Sequence, residues 1–149
     1  MTSDELDRFQ AWVDMMEDAL AAFFEVLPKD VTSQLDYSIE SIEALERWLL
    51  SRYPHSDAAK AAKEAPVLDG VARYFGEAFR AQFGGDWSIR VDDPDYAYFG
   101  LPIVDGFPAK ESPVCPLVLA SASLDRRTGV HVSKIMRAKQ QRISRAAKP

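Results

Sequence analysis

A single cysteine, Cys115, excludes any intrachain disulfide framework, and a reducing compartment suits such a chain. A structural zinc site lacks ligands, since it takes four Cys or His side chains and only Cys115, His55 and His131 are present. No apolar run approaches the ~18 to 20 residues of a membrane span. The start, MTSDELDRF, carries acids where a secretory leader has bases followed by an apolar stretch, so the expected location is the cytoplasm. The seven glycines form neither GxxxxGK[ST] nor GxGxxG, so no phosphate cradle and no nucleotide cofactor are expected.

What is present is an ordinary globular composition, 47% hydrophobic and 28% charged over 149 residues. One domain spanning 1–149 is expected, burying roughly two-thirds of the surface of its unfolded chain. Charge is unevenly placed. Residues 1–50 hold 12 acids and 3 bases, a net of −9, whereas residues 126–149 hold 8 bases and no acid. The final segment, 134–149, reads as a basic helix that frays.

Thr2 and Glu5 have capping-box spacing, so a helix is expected from about Ser3. Leu6, Phe9, Val13, Met16, Leu20 and Phe23 recur at three- and four-residue steps, with Trp12 and Phe24 widening the stripe, until Pro28 stops the run. Its opposite face is acidic and expected to be wet. A second helix should start near Asp36 or Ser38, bury Ile39, Ile42, Leu45, Trp48 and Leu49, and end at Tyr53-Pro54. The two would form a helical hairpin. Ser56 would cap a short alanine-rich linker helix ending before Pro66.

The stretch from Pro66 to Pro108 holds five of eight Phe, three of five Tyr and one of three Trp residues. Val67, Val71, Tyr74, Phe75, Ala78, Phe79, Gln82 and Phe83 cover about half the circumference of a helix at 100° per residue, which calls for partners on more than one side. Gly84-Gly85 should end it. Trp87, Ile89 and Val91 alternate with polar residues as a half-buried strand does. Asp92-Asp93-Pro94-Asp95 reads as a turn, with Tyr96–Phe99 as the returning strand and Leu101–Val104 as a possible third. Pro116 to Gly129 fits either a helix or part of a hairpin, and the start and stop positions of Pro116 and Gly129 favour helix.

Tyr74-x-Gly76-Glu77, the Gly-Gly stop, Trp87, the acidic turn and the segment ending Asp125-Arg126-Arg127-x-x-Gly129 resemble, over residues 66–129, bacterial families of unknown function. Each of these elements is also what a helix–hairpin–helix unit needs, and the resemblance brings no activity with it.

Four sets of residues invite chemistry. Glu77 lies nearly opposite the middle of the Val67–Phe83 apolar arc and follows Gly76, where another backbone can approach. Held in a crevice it would be an acid or base, and on an open face a solvated glutamate. With Tyr74, Trp87 and Tyr98 it would line a binding pocket. Asp92, Asp93 and Asp95 offer oxygen ligands to a hard cation, although EF-hand spacing is missing and Pro94 already accounts for a turn. Cys115 reads as a small buried side chain, or as half of a dyad with a histidine brought close by folding. The basic C-terminal segment suits a nucleic-acid arm, an anionic-membrane helix, or a helix docking on the acidic N-terminal face within one chain or in a homo-oligomer; the overall acidity and the lack of aromatic anchors favour the last.

The expected fold is α+β: an N-terminal helical hairpin, a central helix, a small antiparallel sheet and C-terminal helices. The expected function is a non-enzymatic interaction module, of accessory or immunity type, whose acidic N-terminal face engages a basic protein. The alternative is a small-ligand-binding protein or hydrolytic enzyme with a pocket near Glu77 and the aromatic hairpin.

Overall fold

A computed structural model describes residues 2–148. The fold is α+β. Four helices precede a long central one: α1 (Thr2–Asp14), α2 (Met16–Val26), the single turn α3 (Lys29–Thr32) and α4 (Ile39–Arg52), then α5 (Ala65–Phe83). Strands β1 (Asp86–Ser88) and β2 (Ile103–Asp105) follow, and α6 (Pro116–Arg126) and α7 (His131–Ala146) close the chain.

α5 is the axis of the molecule. α2, α4, α6 and β2 all pack on it, and residues 70–76 are buried without interruption. Its buried surface is therefore wider than the half-circumference apolar arc of the sequence. Gly70 and Gly76 explain the extra coverage, because a Cβ at the first would collide with the Phe23 ring and at the second with the Trp87 indole. The centre of the core is Ile42, Leu45 and Leu49 of α4 with Val71, Tyr74, Phe75 and Phe79 of α5 and Val132 and Met136 of α7. α2 and α4 also meet at the Phe23 and Trp48 rings, whose centroids are 6.3 Å apart.

Several elements begin and end where local chemistry directs. Ser38 Oγ accepts the Ser41 N–H at 3.1 Å and caps α4. Proline stands in the first turn of both α5 and α6. Gly84 and Gly85 have φ of 83° and 88°, and a Cβ at Gly85 would come within 2.7 Å of the Asp105 carbonyl, so the chain turns there only because both are glycine.

The structure departs from the sequence reading at several elements. The first helical run is broken at Met15 (φ −86°, ψ 5°), leaving α1 and α2 as separate helices. The capping box rests on the Thr2 side chain, which lies outside the described residues. The alanine-rich linker forms two 3-10 turns, Ser56–Lys60 and Ala62–Glu64, instead of an α-helix, and Ser56 does not cap it. The strand after Gly85 ends at Ser88, and Tyr96–Phe99 is no strand. The Tyr96 and Phe99 amides are spent on local turns, donating to Asp93 O and Tyr96 O at 3.0 Å each, so they cannot pair across a sheet. β1 pairs antiparallel with β2, Trp87 opposite Val104, and Val104 also bridges to Val114.

The acid-rich N-terminal third is not uniformly wet. Glu46 is fully buried: it accepts from Ser123 Oγ at 2.7 Å, Val132 N at 2.9 Å, His131 N at 3.1 Å and Ser133 N at 3.3 Å. One carboxylate thereby meets the positive N-terminal end of α7 and joins α4, α6 and α7. Arg137 of α7 reaches Glu43 at 2.6 Å and Glu40 at 3.6 Å, so the basic helix docks on the acidic α4 and is regular to Ala146.

Candidate functional site

On α5, Asp69, Arg73, Gly76 and Arg80 fall within about 60° of one another on the helical wheel, with Glu77 beside them. That polar edge organises two tryptophans. Asp69 accepts the Trp12 indole N–H at 2.8 Å through Oδ1 and Arg73 Nε at 2.7 Å through Oδ2. Arg73, only 5% exposed at its side chain, also donates to the Trp12 carbonyl at 2.8 Å, and its guanidinium lies 4.1 Å from the Trp12 ring centre. The break at Met15 makes that carbonyl available to a side chain. Trp12 in turn meets Trp87 edge to face, with centroids 4.9 Å apart at 80°.

Trp87 crosses α5 over Gly76 and gives its indole N–H to Glu77 Oε2 at 2.7 Å. Arg80 Nη1 donates to the same oxygen at 2.9 Å, while Arg80 Nε donates to the Gly85 carbonyl at 3.2 Å. The result is a continuous chain, Arg73, Asp69, Trp12, Trp87, Glu77 and Arg80, in which both indole donors are satisfied by carboxylates.

A concavity lies on either side of this chain. The first is a groove of about 560 Å³ between α2 and α5, floored by Met16, Leu20, Phe24 and Tyr37 and edged by Glu17, Glu77 and Arg80. Tyr37 is held in left-handed backbone (φ 66°) by its N–H, which donates to Tyr74 Oη at 2.8 Å, and by ring stacking on Tyr74 at 4.7 Å. The second is a pocket of about 460 Å³, walled by Trp12 and Trp87 and lined by alanines of the 59–72 stretch, with Asp69 and Lys60 its ionisable groups.

The sequence candidates are distributed unevenly between these features. Glu77 and Trp87 are brought together. Glu77 is half-buried with two donors on one oxygen, which replaces the solvated-glutamate reading, and Gly76 is the point of close approach, made by an indole. Tyr74 belongs to the core. It is fully buried, bonds Ser41 Oγ at 2.7 Å, and burial pushes its phenol up to about 12. Tyr98 sits in the 89–102 loop, edge to face with Tyr96. Asp92, Asp93 and Asp95 form an exposed turn in which Asp93 Oδ1 accepts the Asp95 N–H at 3.0 Å. Among the described residues, no group of three or more His, Cys, Asp or Glu side chains is placed to hold a metal ion. Cys115 is buried at the start of α6, and burial raises its thiol pKa, which disfavours the reactive thiolate. Burial likewise lowers the His131 pKa.

Sequence reasoning missed Trp12, Asp69, Arg73 and Glu46 as organising residues. Asp69 and Arg73 do carry a signal, an oppositely charged pair four apart on a helix. Glu46 does as well, since it falls between Ile42 and Leu49 on the inner stripe of α4. Compared with family models, curated proteins and solved structures, the chain matches none.

Proposed function

We propose that this chain is a non-enzymatic interaction module, of accessory or immunity type, that engages a basic amphipathic segment of a partner protein along α1–α2 and the groove between α2 and α5. The carrying observation is the contrast between two sets of acids. Glu43 and Glu46 are engaged by α7, whereas Asp7, Asp14, Glu17, Asp18 and Glu25 stand exposed on α1 and α2. Of these helices, α2 also supplies the apolar groove floor of Met16, Leu20 and Phe24. Acids around an apolar trough suit a helix with an apolar stripe flanked by Lys or Arg. The two donors on Glu77 Oε2 support a positioning role for that carboxylate rather than a hydrolytic one.

The test is affinity capture from the source cells with wild type and with a Glu17→Lys/Asp18→Lys variant, followed by titration of each purified partner. The reading expects a partner with a basic contact surface, an affinity that falls as salt rises, and loss of at least tenfold in the variant. Partners without a basic surface, or binding unchanged by charge reversal, would overturn it.

A further inference from the structure

We infer that the pocket walled by Trp12 and Trp87 is a binding site for a small, neutral, ring-bearing molecule carrying one hydroxyl, the hydroxyl donating to Asp69. This site lies apart from the α2–α5 groove and does not rest on the interaction reading.

The walls come first. Each indole is fixed by its own carboxylate, Trp12 by Asp69 at 2.8 Å and Trp87 by Glu77 at 2.7 Å, and the rings brace one another at 4.9 Å. Aromatic surface held in this way is ready for a ligand without an ordering cost at binding. The opposite side is low because the 3-10 turns at 56–64 present alanines, whose methyl groups cannot reach across, so about 460 Å³ stays open. That is within the ~300 to 1,000 Å³ range of small-molecule sites, and flat methyl and indole surfaces suit a flat ring.

The polar groups define the rest of the ligand. Asp69 is 41% exposed at its side chain, and Trp12 and Arg73 each take one position on its two oxygens. A carboxylate accepts about four hydrogen bonds, so acceptor positions remain on a group already locked in orientation. A hydroxyl satisfies one of them. A ligand cation is disfavoured because buried Arg73 already neutralises Asp69 and Lys60 stands at the rim. A ligand anion is disfavoured by Asp69 itself. Lys60 supplies no fixed contact to oppose this, since it pairs with Asp57 at 3.0 Å where both side chains are at least three-quarters exposed.

The test uses the three indole N–H signals of the full ¹⁵N-labelled chain, titrated with 2-naphthol, naphthalene and 2-naphthylmethylammonium. Trp48, against Phe23 and Arg52, is the internal reference. With 2-naphthol, the Trp12 and Trp87 signals should shift saturably while Trp48 stays. Naphthalene and the ammonium compound should each bind at least fivefold more weakly. Ala62→Phe, at an exposed pocket-lining position, should abolish the shifts without changing the thermal melt. Equal affinity for naphthol and naphthalene overturns the hydroxyl contact with Asp69. Shifts that persist in Ala62→Phe, or no saturable shift with any compound, overturn the site itself.

Discussion

The indole N–H of Trp87 donates to Glu77 Oε2 at 2.7 Å, tying the first strand back to the helix that precedes it. The bond spans only ten residues, yet the double-glycine reversal and the missing side chain of Gly76 are both needed to make it. It also separates the α2–α5 groove, edged by Glu77, from the indole-walled pocket, which has Trp87 as a wall.

Gly76→Ala should destabilise the protein, although alanine in a helix interior ordinarily gains about 1 kcal/mol over glycine. The added methyl collides with the Trp87 ring, and overpacking of that kind costs about 1 to 3 kcal/mol. Urea titration should give a lower midpoint, with the Trp87 indole signal moved. A rise in midpoint would show that the indole moves aside freely.

Trp87→Phe keeps an aromatic wall and removes the donor to Glu77. The expected loss is about 1 kcal/mol, because Arg80 still satisfies the same oxygen. Glu77→Gln in the Trp87→Phe background should then add less than it does alone, a coupling that a double-mutant cycle reads directly.

Glu46→Ala should be the most damaging single acid substitution. It leaves Ser123 Oγ and the amides of His131, Val132 and Ser133 without their acceptor. Each buried donor left unsatisfied costs about 1 to 3 kcal/mol. Hydrogen exchange should localise the effect, with the Val132 and Ser133 amides losing protection before those of α5.

Stability should fall in acid through Glu111. Arg142 first, and then Lys139, hold its carboxyl down to about 2, against 4.5 when free. The ionised form is favoured in the folded state, so its contribution is complete above about pH 5 and is lost as pH drops through 4.5 towards 2. The cluster is asymmetric, since burial of Lys139, 3% exposed, lowers that ammonium's own pKa while the half-exposed Arg142 favours the carboxylate. Urea midpoints taken from pH 6 to 2.5 should decline in wild type and decline less in Glu111→Gln.

Cys115 should resist alkylation in the native protein and react on unfolding, because it is 2% exposed and its pKa is raised by burial. Thiol labelling with and without urea checks this, and rapid native labelling would place the thiol at the surface.

Much of the scaffold was legible in the sequence because its signals are local. Ser38, Pro66, Gly84-Gly85 and Pro116 act on their own backbone, and the apolar spacing of α4 and α5 follows the helix repeat whatever packs against it. Glu77 and Trp87 could be singled out, being close in the chain. What tertiary structure alone decided is which charges are spent. In the sequence Glu46 and Glu43 are only two of the twelve acids of residues 1–50, and it is α7, some 90 residues later, that engages them. The return strand falls elsewhere for a local reason: turns within 93–101 take the amides that pairing needs, and β1 finds its partner at Ile103–Asp105. Trp12 became a pocket wall only because α5 placed Asp69 and Arg73 around a broken turn far away in sequence. Periodicity sets which face of an element is buried, but the partner of a buried charge or an indole N–H is fixed by long-range packing, which no local pattern encodes.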